Sequence, residues 1–253
     1  MRLRTPTMIV AVAVSIGGLA VPAGPAAAAG AAPLRAAGRP AAAEPTAAQR
    51  AFAVEPGQHA LAAKKKKKKP KTVALTFDDG PSDYTYKVLD KLKQYKVKAT
   101  FCIVGNNVAN YPKTTLRIIE EGHRLCNHSY THADLTTLTS AEVKQELVDC
   151  QTALEDATEV TPKVVRFPYG ASNAKVRKVA KDLKLRSLGW TVDPQDWKDN
   201  PSAKTITARI VKNVKPGAVV LLHDGGGDRS QTAASLPGTI AKLKKKGYKF
   251  VLA

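Results

Sequence analysis

Cysteine is nearly absent from this chain: three residues in 253, at positions 102, 126 and 150. That excludes a disulfide-stapled scaffold, and none of the three has a spacing that makes a thiolate metal site. At most one disulfide is open to them. Cys126 with Cys150 is the candidate pair, while Cys102, in Ala99-Thr-Phe-Cys-Ile-Val104, reads as a small core residue. Long apolar runs are missing too. The stretch from Met8 to Val21 is short for a bilayer span and is followed by Pro22 and Pro25. Carboxylates are scarce, 21 Asp and Glu against 40 Lys and Arg, for a formal charge of +19. No aromatic is interleaved with the run Lys64–Lys69, so base stacking, and with it nucleic acid, is not expected. There is no internal repeat and no sign of a second domain.

What is present divides unevenly. Met1-Arg-Leu-Arg4, the apolar stretch and the small residues through Gly30 read as a secretory signal over 1–30. Residues 31–71 read as a linker: an Ala/Pro-rich segment that cannot bury enough surface to offset chain entropy, then six lysines, Pro70 and Lys71. The remaining 182 residues, Thr72 to Ala253, suffice for one domain with a proper core. The charge is +3 before Lys64, +7 over Lys64–Lys71 and +9 in the domain. Such a chain favours anionic partners such as cell-wall polymers or lipid head groups; the alternative for Lys64–Lys71 is a solvated spacer.

Within the domain, apolar runs alternate with helical patterns. Strands are expected at Val73–Phe77, Lys98–Val104, Arg124–Asn127, Val164–Arg166, Arg186–Trp190, Ala218–Leu222 and Tyr248–Leu252. Helices are expected between them, one opened by the capping box Thr139-Ser-Ala-Glu142. Units of roughly twenty-five residues argue for a parallel α/β sheet. Seven strands suggest a distorted (β/α) barrel lacking one unit.

Polar residues that stand out fall at or just past the expected strand ends: Asp78 and Asp79, His128, Arg166, Asp193 and His223, with His132 and Asp196 a few positions further on. In a parallel barrel that is the edge where active sites lie. Each has a plainer reading. Paired aspartates before Gly80 serve turns, an HxxxH pair is often accidental, and a histidine closing an apolar strand is often structural. Taken together they provide metal ligands, a spare carboxylate, an arginine and a separate histidine, a set suited to metal-assisted hydrolysis. His128 and His132, four apart, would share one face of a helical turn. Trp190 reads as core, Asp193 as a loop brace, and His59 and His123 take no role.

The segments Thr72-Val-Ala-Leu-Thr-Phe-Asp-Asp-Gly80, His128-Ser-Tyr-Thr-His132, Arg166-Phe-Pro-Tyr-Gly170, Asp193-Pro-Gln-Asp-Trp197 and Leu221-Leu-His-Asp224 resemble, in this order, the motifs of NodB-type polysaccharide deacetylases, the fourth family of carbohydrate esterases. The resemblance covers about Thr72 to Ala253. It implies a divalent ion, zinc first and cobalt as an alternative, on Asp79, His128 and His132. It implies Asp78 as base oriented by Arg166, the Tyr169 backbone N–H as oxyanion donor, and His223 tuned by Asp196 as acid. Trp197 and Leu221 would wall the acetyl pocket. The family more usually has Pro where this chain has Phe167, a departure that reshapes the cleft wall.

The expected function is that of a secreted, monomeric, metal-dependent deacetylase of N-acetylglucosamine polymers, peptidoglycan or chitin. An acetylxylan esterase is the alternative within the family, and a non-catalytic cell-wall-binding protein the alternative outside it.

Overall fold

The computed structural model describes residues 70–253; the expected signal segment, the linker up to residue 69 and His59 lie outside the described residues. Strand β1 (Thr72–Gly80) is the organising element. It pairs in parallel with β2 (Thr100–Ile103), β6 (Ala218–His223) and the short β7 (Lys249–Phe250). Beyond β2 the sheet continues through β3 (Arg124–Asn127), β4 (Val164–Val165) and β5 (Arg186–Ser187). The chain after β5 then returns to the far edge of β6 through one parallel bridge, Val192 to Val220. Seven parallel strands therefore curl into the incomplete barrel that the alternation predicts.

Strand period explains both sides of the sheet. On β1, Val73, Leu75 and Phe77 face the helices and join one core with Val88, Leu89 and Leu92 of α1 (Asp83–Gln94) and Leu236, Ile240 and Leu243 of α6 (Ser230–Lys245). Each of these side chains is fully buried. Full burial of a large aliphatic contributes about 1.5–3 kcal/mol, so this helix-facing layer carries much of the stability. Between them, Thr76 and Asp78 point into the barrel. There Cys102, Cys126, Val164 and Leu188 form a second small cluster, with Ala253 packed against it. Three further helices, α2 (Pro112–Glu120), α3 (Ser140–Thr158) and α4 (Ala174–Asp182), cover the middle strands, and α5 (Ala203–Asn213) precedes β6. The capping box at α3 forms as expected: Thr139 Oγ1 accepts from the Glu142 N–H, and Glu142 Oε2 accepts from the Thr139 N–H.

The expected Cys126–Cys150 disulfide does not form; all three cysteines are free and buried. Cys126 points into the barrel beside its register partner Cys102, whereas Cys150 belongs to α3 and packs on the outer, helix-facing core. Side chains on opposite faces of one sheet cannot bring their sulfurs to bonding distance. The Cys150 thiol instead points at the Ile103 carbonyl oxygen, 3.4 Å away, and burial pushes its pKa up to about 12. A thiol reagent should therefore label no cysteine in the native chain and three after denaturation. Rapid labelling of any one before unfolding would contradict this packing.

Candidate active site

Two neighbouring residues of a regular strand face opposite ways, yet Asp78 and Asp79 both border one cavity. A break in register reconciles this. Asp78 pairs with Cys102 and Gly80 with Ile103, leaving Asp79 as the extra residue of a bulge, with φ of 71°. A bulge at a strand end re-aims the side chain it carries. Space for it depends on the loop after β6. A Cβ on Gly225 would collide with the Asp79 carbonyl, and one on Gly226 would come within 2.6 Å of Asp79 Oδ2.

The histidines converge on that carboxylate. His132 Nε2 lies 3.1 Å and His128 Nε2 3.3 Å from Asp79 Oδ1. Their Nδ1 atoms are engaged elsewhere, His128 with the Arg166 carbonyl oxygen at 2.6 Å and His132 with the Tyr169 hydroxyl at 3.3 Å. The Nε2 atoms are thereby directed inward. Burial alone would raise the Asp79 pKa, but hydrogen bonds from both histidines hold it well below the usual carboxylate range. For His128, burial acts downward and is outweighed by Asp78 and Asp79, so its pKa rises. One carboxylate oxygen and two imidazole nitrogens, all within 4.8 Å of one another, fit a divalent ion and leave coordination positions open to the cavity.

The two histidines do not share a helical turn. Residues 128–132 form a loop with Ser129 at φ 62° and His132 at φ 63°. What holds this loop is Glu146 of α3, which the sequence did not single out. Its carboxylate accepts from the N–H groups of Tyr130 and Thr131, both at 2.9 Å, and from the Thr131 hydroxyl at 2.7 Å. Asn127 adds a second tie: its Oδ1 accepts from the Ser129 N–H and its Nδ2 donates to the Leu147 carbonyl.

Beneath the carboxylates lies Arg166, only 1% exposed. Nη1 donates to Asp78 Oδ1 and Thr76 Oγ1, both at 2.7 Å, Nε to the Leu188 carbonyl and Nη2 to that of Gly189. Across the cavity, His223 Nδ1 meets Asp196 Oδ1 at 2.8 Å, and the His223 N–H and the Thr232 hydroxyl both donate to Asp196 Oδ2. Burial pulls the His223 pKa down, but Asp196, with Asp78 and Asp79 adding to it, outweighs this and the net shift is upward. With Nδ1 committed to a carboxylate, Nε2 is free to face the cavity.

The cavity, about 340 Å³, is lined by Asp78, Asp79, His128, His132, Tyr169, Trp197, Leu221 and His223, and also by Phe167, Gly170, Trp190 and Asp193. Tyr169, at φ 60°, stands on the turn Pro168–Gly170 and packs its ring edgewise on His132. Phe167 forms part of the wall. Trp190 is not core: it is 37% exposed and lies 5.7 Å from the Arg166 guanidinium. Gly170 is what admits it, since a Cβ there would stand 2.5 Å from the indole. Asp193 braces its loop by accepting from the Gln195 N–H. Asp224, unassigned from the sequence, is buried against Gly80, and burial raises its pKa to about 7. His123 is structural: its Nδ1 accepts from the Ala99 N–H, and burial lowers its pKa to about 4.

A parallel α/β barrel with an Asp-His-His cluster able to hold a divalent ion, a buried Asp-Arg pair and a His-Asp pair on one mouth has the form of a hydrolase active site. Residues 65–188 match the family model described as polysaccharide deacetylase. A peptidoglycan-N-acetylglucosamine deacetylase of Listeria monocytogenes is 42% identical over 187 residues, 74% of this chain and 39% of that protein, so the present chain spans about two fifths of its length. A chitooligosaccharide deacetylase of Bradyrhizobium is 38% identical over 191 residues, covering 70% of this chain and 87% of the other. Among solved structures, the Bc1960 peptidoglycan N-acetylglucosamine deacetylase superposes with a TM-score of 0.70 at 39% identity, over 72% of this chain and 86% of that one. The chain belongs to the polysaccharide deacetylase family.

Glu146 generates a test independent of turnover. Glu146→Gln keeps shape and loses charge, so the 128–132 loop should loosen and affinity for an added divalent ion, measured by chelator competition, should fall roughly tenfold with the fold intact. Unchanged affinity would mean that the loop holds its shape without Glu146.

Proposed function

We propose that this protein is a secreted, metal-dependent deacetylase that removes N-acetyl groups from N-acetylglucosamine in peptidoglycan or chitin oligomers. One observation carries the reading: the Asp79-His128-His132 triad, the Asp78–Arg166 pair and the His223–Asp196 pair open on the same cavity. The names of the relatives support the substrate class. Secretion rests on the character of residues 1–30. The lysines at 64–69 and Lys71 are proposed to hold anionic cell-wall polymers.

A divalent ion on the triad, zinc by its donor set, would polarise the acyl oxygen and lower the pKa of water. Asp78, fixed by Arg166, takes the proton of the attacking water. The Tyr169 N–H, on its left-handed turn, donates to the oxygen that gains charge. His223 then gives its Nε2 proton to the departing nitrogen. That last step separates amide from ester cleavage, because an amine leaves only when protonated, whereas a sugar alkoxide is the easier leaving group. Trp197 and Leu221 enclose the acetyl methyl.

Asp78→Asn should keep the ion and lose about a hundredfold or more in turnover, whereas Asp79→Asn should lose affinity for the ion itself. The reverse pattern by metal analysis would exchange the two roles. The His223–Asp196 pair predicts a pH effect. The acid must be protonated, so activity falls as pH rises through the His223 pKa, and that pKa is raised chiefly by Asp196. Asp196→Asn should therefore move the alkaline limb of the profile to lower pH. Substrate choice is read from acetate released from chitooligosaccharide, peptidoglycan and acetylxylan; release from acetylxylan alone would make the protein an ester hydrolase with the same machinery.

A further inference from the structure

Each unit of the fold runs strand up and helix down, so the end opposite the cavity gathers helix C-termini and strand starts. Residues 201–253 carry ten Lys and Arg but only two carboxylates, Asp224 and Asp228. Both carboxylates lie at the cavity end, between β6 and α6. The opposite end is left to lysine. Lys212 and Lys215 border the end of α5, Lys242, Lys244, Lys245 and Lys246 close α6, and Lys249 opens β7 beside Lys71 of the chain entering β1. All eight are exposed. They form one surface: the Lys249 N–H donates to the Lys71 carbonyl, and Lys71 Nζ reaches the Lys246 carbonyl at 3.5 Å.

Helix ends favour cations, and that accounts for part of the set. Lys244 Nζ donates to the Tyr95 carbonyl at 2.7 Å, and Lys246 Nζ to that of Val211 at 3.2 Å. The neighbouring helices show how such ends are otherwise neutralised. Arg117 on α2 pairs with Asp90 and Glu121, and Lys93 on α1 with Glu121. Among the described residues the salt bridges involve none of the eight lysines. Beyond these helix-end contacts, like charges gathered without counter-charges repel one another and raise the local concentration of anions.

The chemistry of the face selects the anion. Lysines are point charges on flexible stems and offer no planar fork, so they suit a flexible chain of regularly spaced charges. Tyr248, under Lys71, is 9% exposed and spends its hydroxyl on the Val214 carbonyl, so its ring offers little surface for stacking a nucleobase. We propose that this face docks a phosphodiester-linked polymer of the cell wall, holding the domain with its cavity turned the other way. The choice of a wall polymer rests on the proposed action on wall polysaccharide. The site is the folded face itself; the six-lysine run joined to it through Pro70 is a separate contributor.

The test uses the full chain with Lys64–Lys69 all changed to Gln and polyglycerol phosphate as the probe. That protein should still be retained at low salt and released as salt rises. Adding Lys212→Gln, Lys215→Gln, Lys245→Gln and Lys249→Gln should weaken retention by about tenfold or more while leaving kcat and KM for chitooligosaccharide unchanged. These four side chains lie outside the cavity. Loss of all retention on removing the run alone, or equal retention with and without the four lysines, overturns the proposal. So does tighter binding to phosphatidylglycerol vesicles or duplex DNA than to the polymer. Retention is read without turnover, so a chain that holds the polymer but releases no acetate refutes the deacetylase reading and supports this one.

Discussion

A guanidinium buried to 1% exposure cannot stand alone in a protein interior, and the architecture of the mouth follows from how Arg166 is satisfied. It draws a hydroxyl from β1, a carboxylate from the end of β1 and two carbonyls from the chain after β5. One side chain thus ties the β4–β5 end of the sheet to β1 across the barrel. Removing either member of the Arg166–Asp78 pair leaves the other as an uncompensated buried charge, a loss of about 3–5 kcal/mol. The same pairing holds Asp78 at a fixed point on the cavity wall, where a proton acceptor of defined position is useful.

Asp79 shows the complementary device. Its left-handed backbone, with those of Ser129, His132 and Tyr169, gathers four non-glycine residues of positive φ around one cavity. Such conformations cost of order 1 kcal/mol or more each and persist only where surroundings enforce them. The enforcement is visible: Gly225 and Gly226 back Asp79, while Glu146 and Asn127 pin the histidine loop. Four of the ten non-glycine residues of positive φ among the described residues thus lie around the cavity, where the Asp79, His128 and His132 side chains converge.

Much of this was legible in the sequence because the signals are local. Strand alternation, the Thr139 capping box and polar residues at strand ends each declare themselves within a few positions, and the element order they predict matches the sheet. The misses depend on distant partners. Nothing near Trp190 tells that Gly170, twenty residues earlier, leaves room for its indole at the cavity edge. Cys126 and Cys150 look pairable until strand parity puts one inside the barrel and the other's helix outside it. Glu146 reads as one more acid on an amphipathic helix until the loop before it folds back onto its carboxylate.

The spacing of the two histidines misled for a related reason. Four residues is one helical turn, but it is also the reach of a loop with left-handed residues at its second and last positions, and the sequence alone does not separate the two. The difference has a consequence. A helix would fix His128 and His132 by its own hydrogen bonds, as a rigid pair. In the loop, the approach of the two imidazoles to Asp79 depends on Glu146, on the Arg166 carbonyl that receives His128, and on the Tyr169 hydroxyl that meets His132. The proposed ion site is thereby coupled to the turn bearing the proposed oxyanion donor, so that seating a ligand on one should stiffen the other.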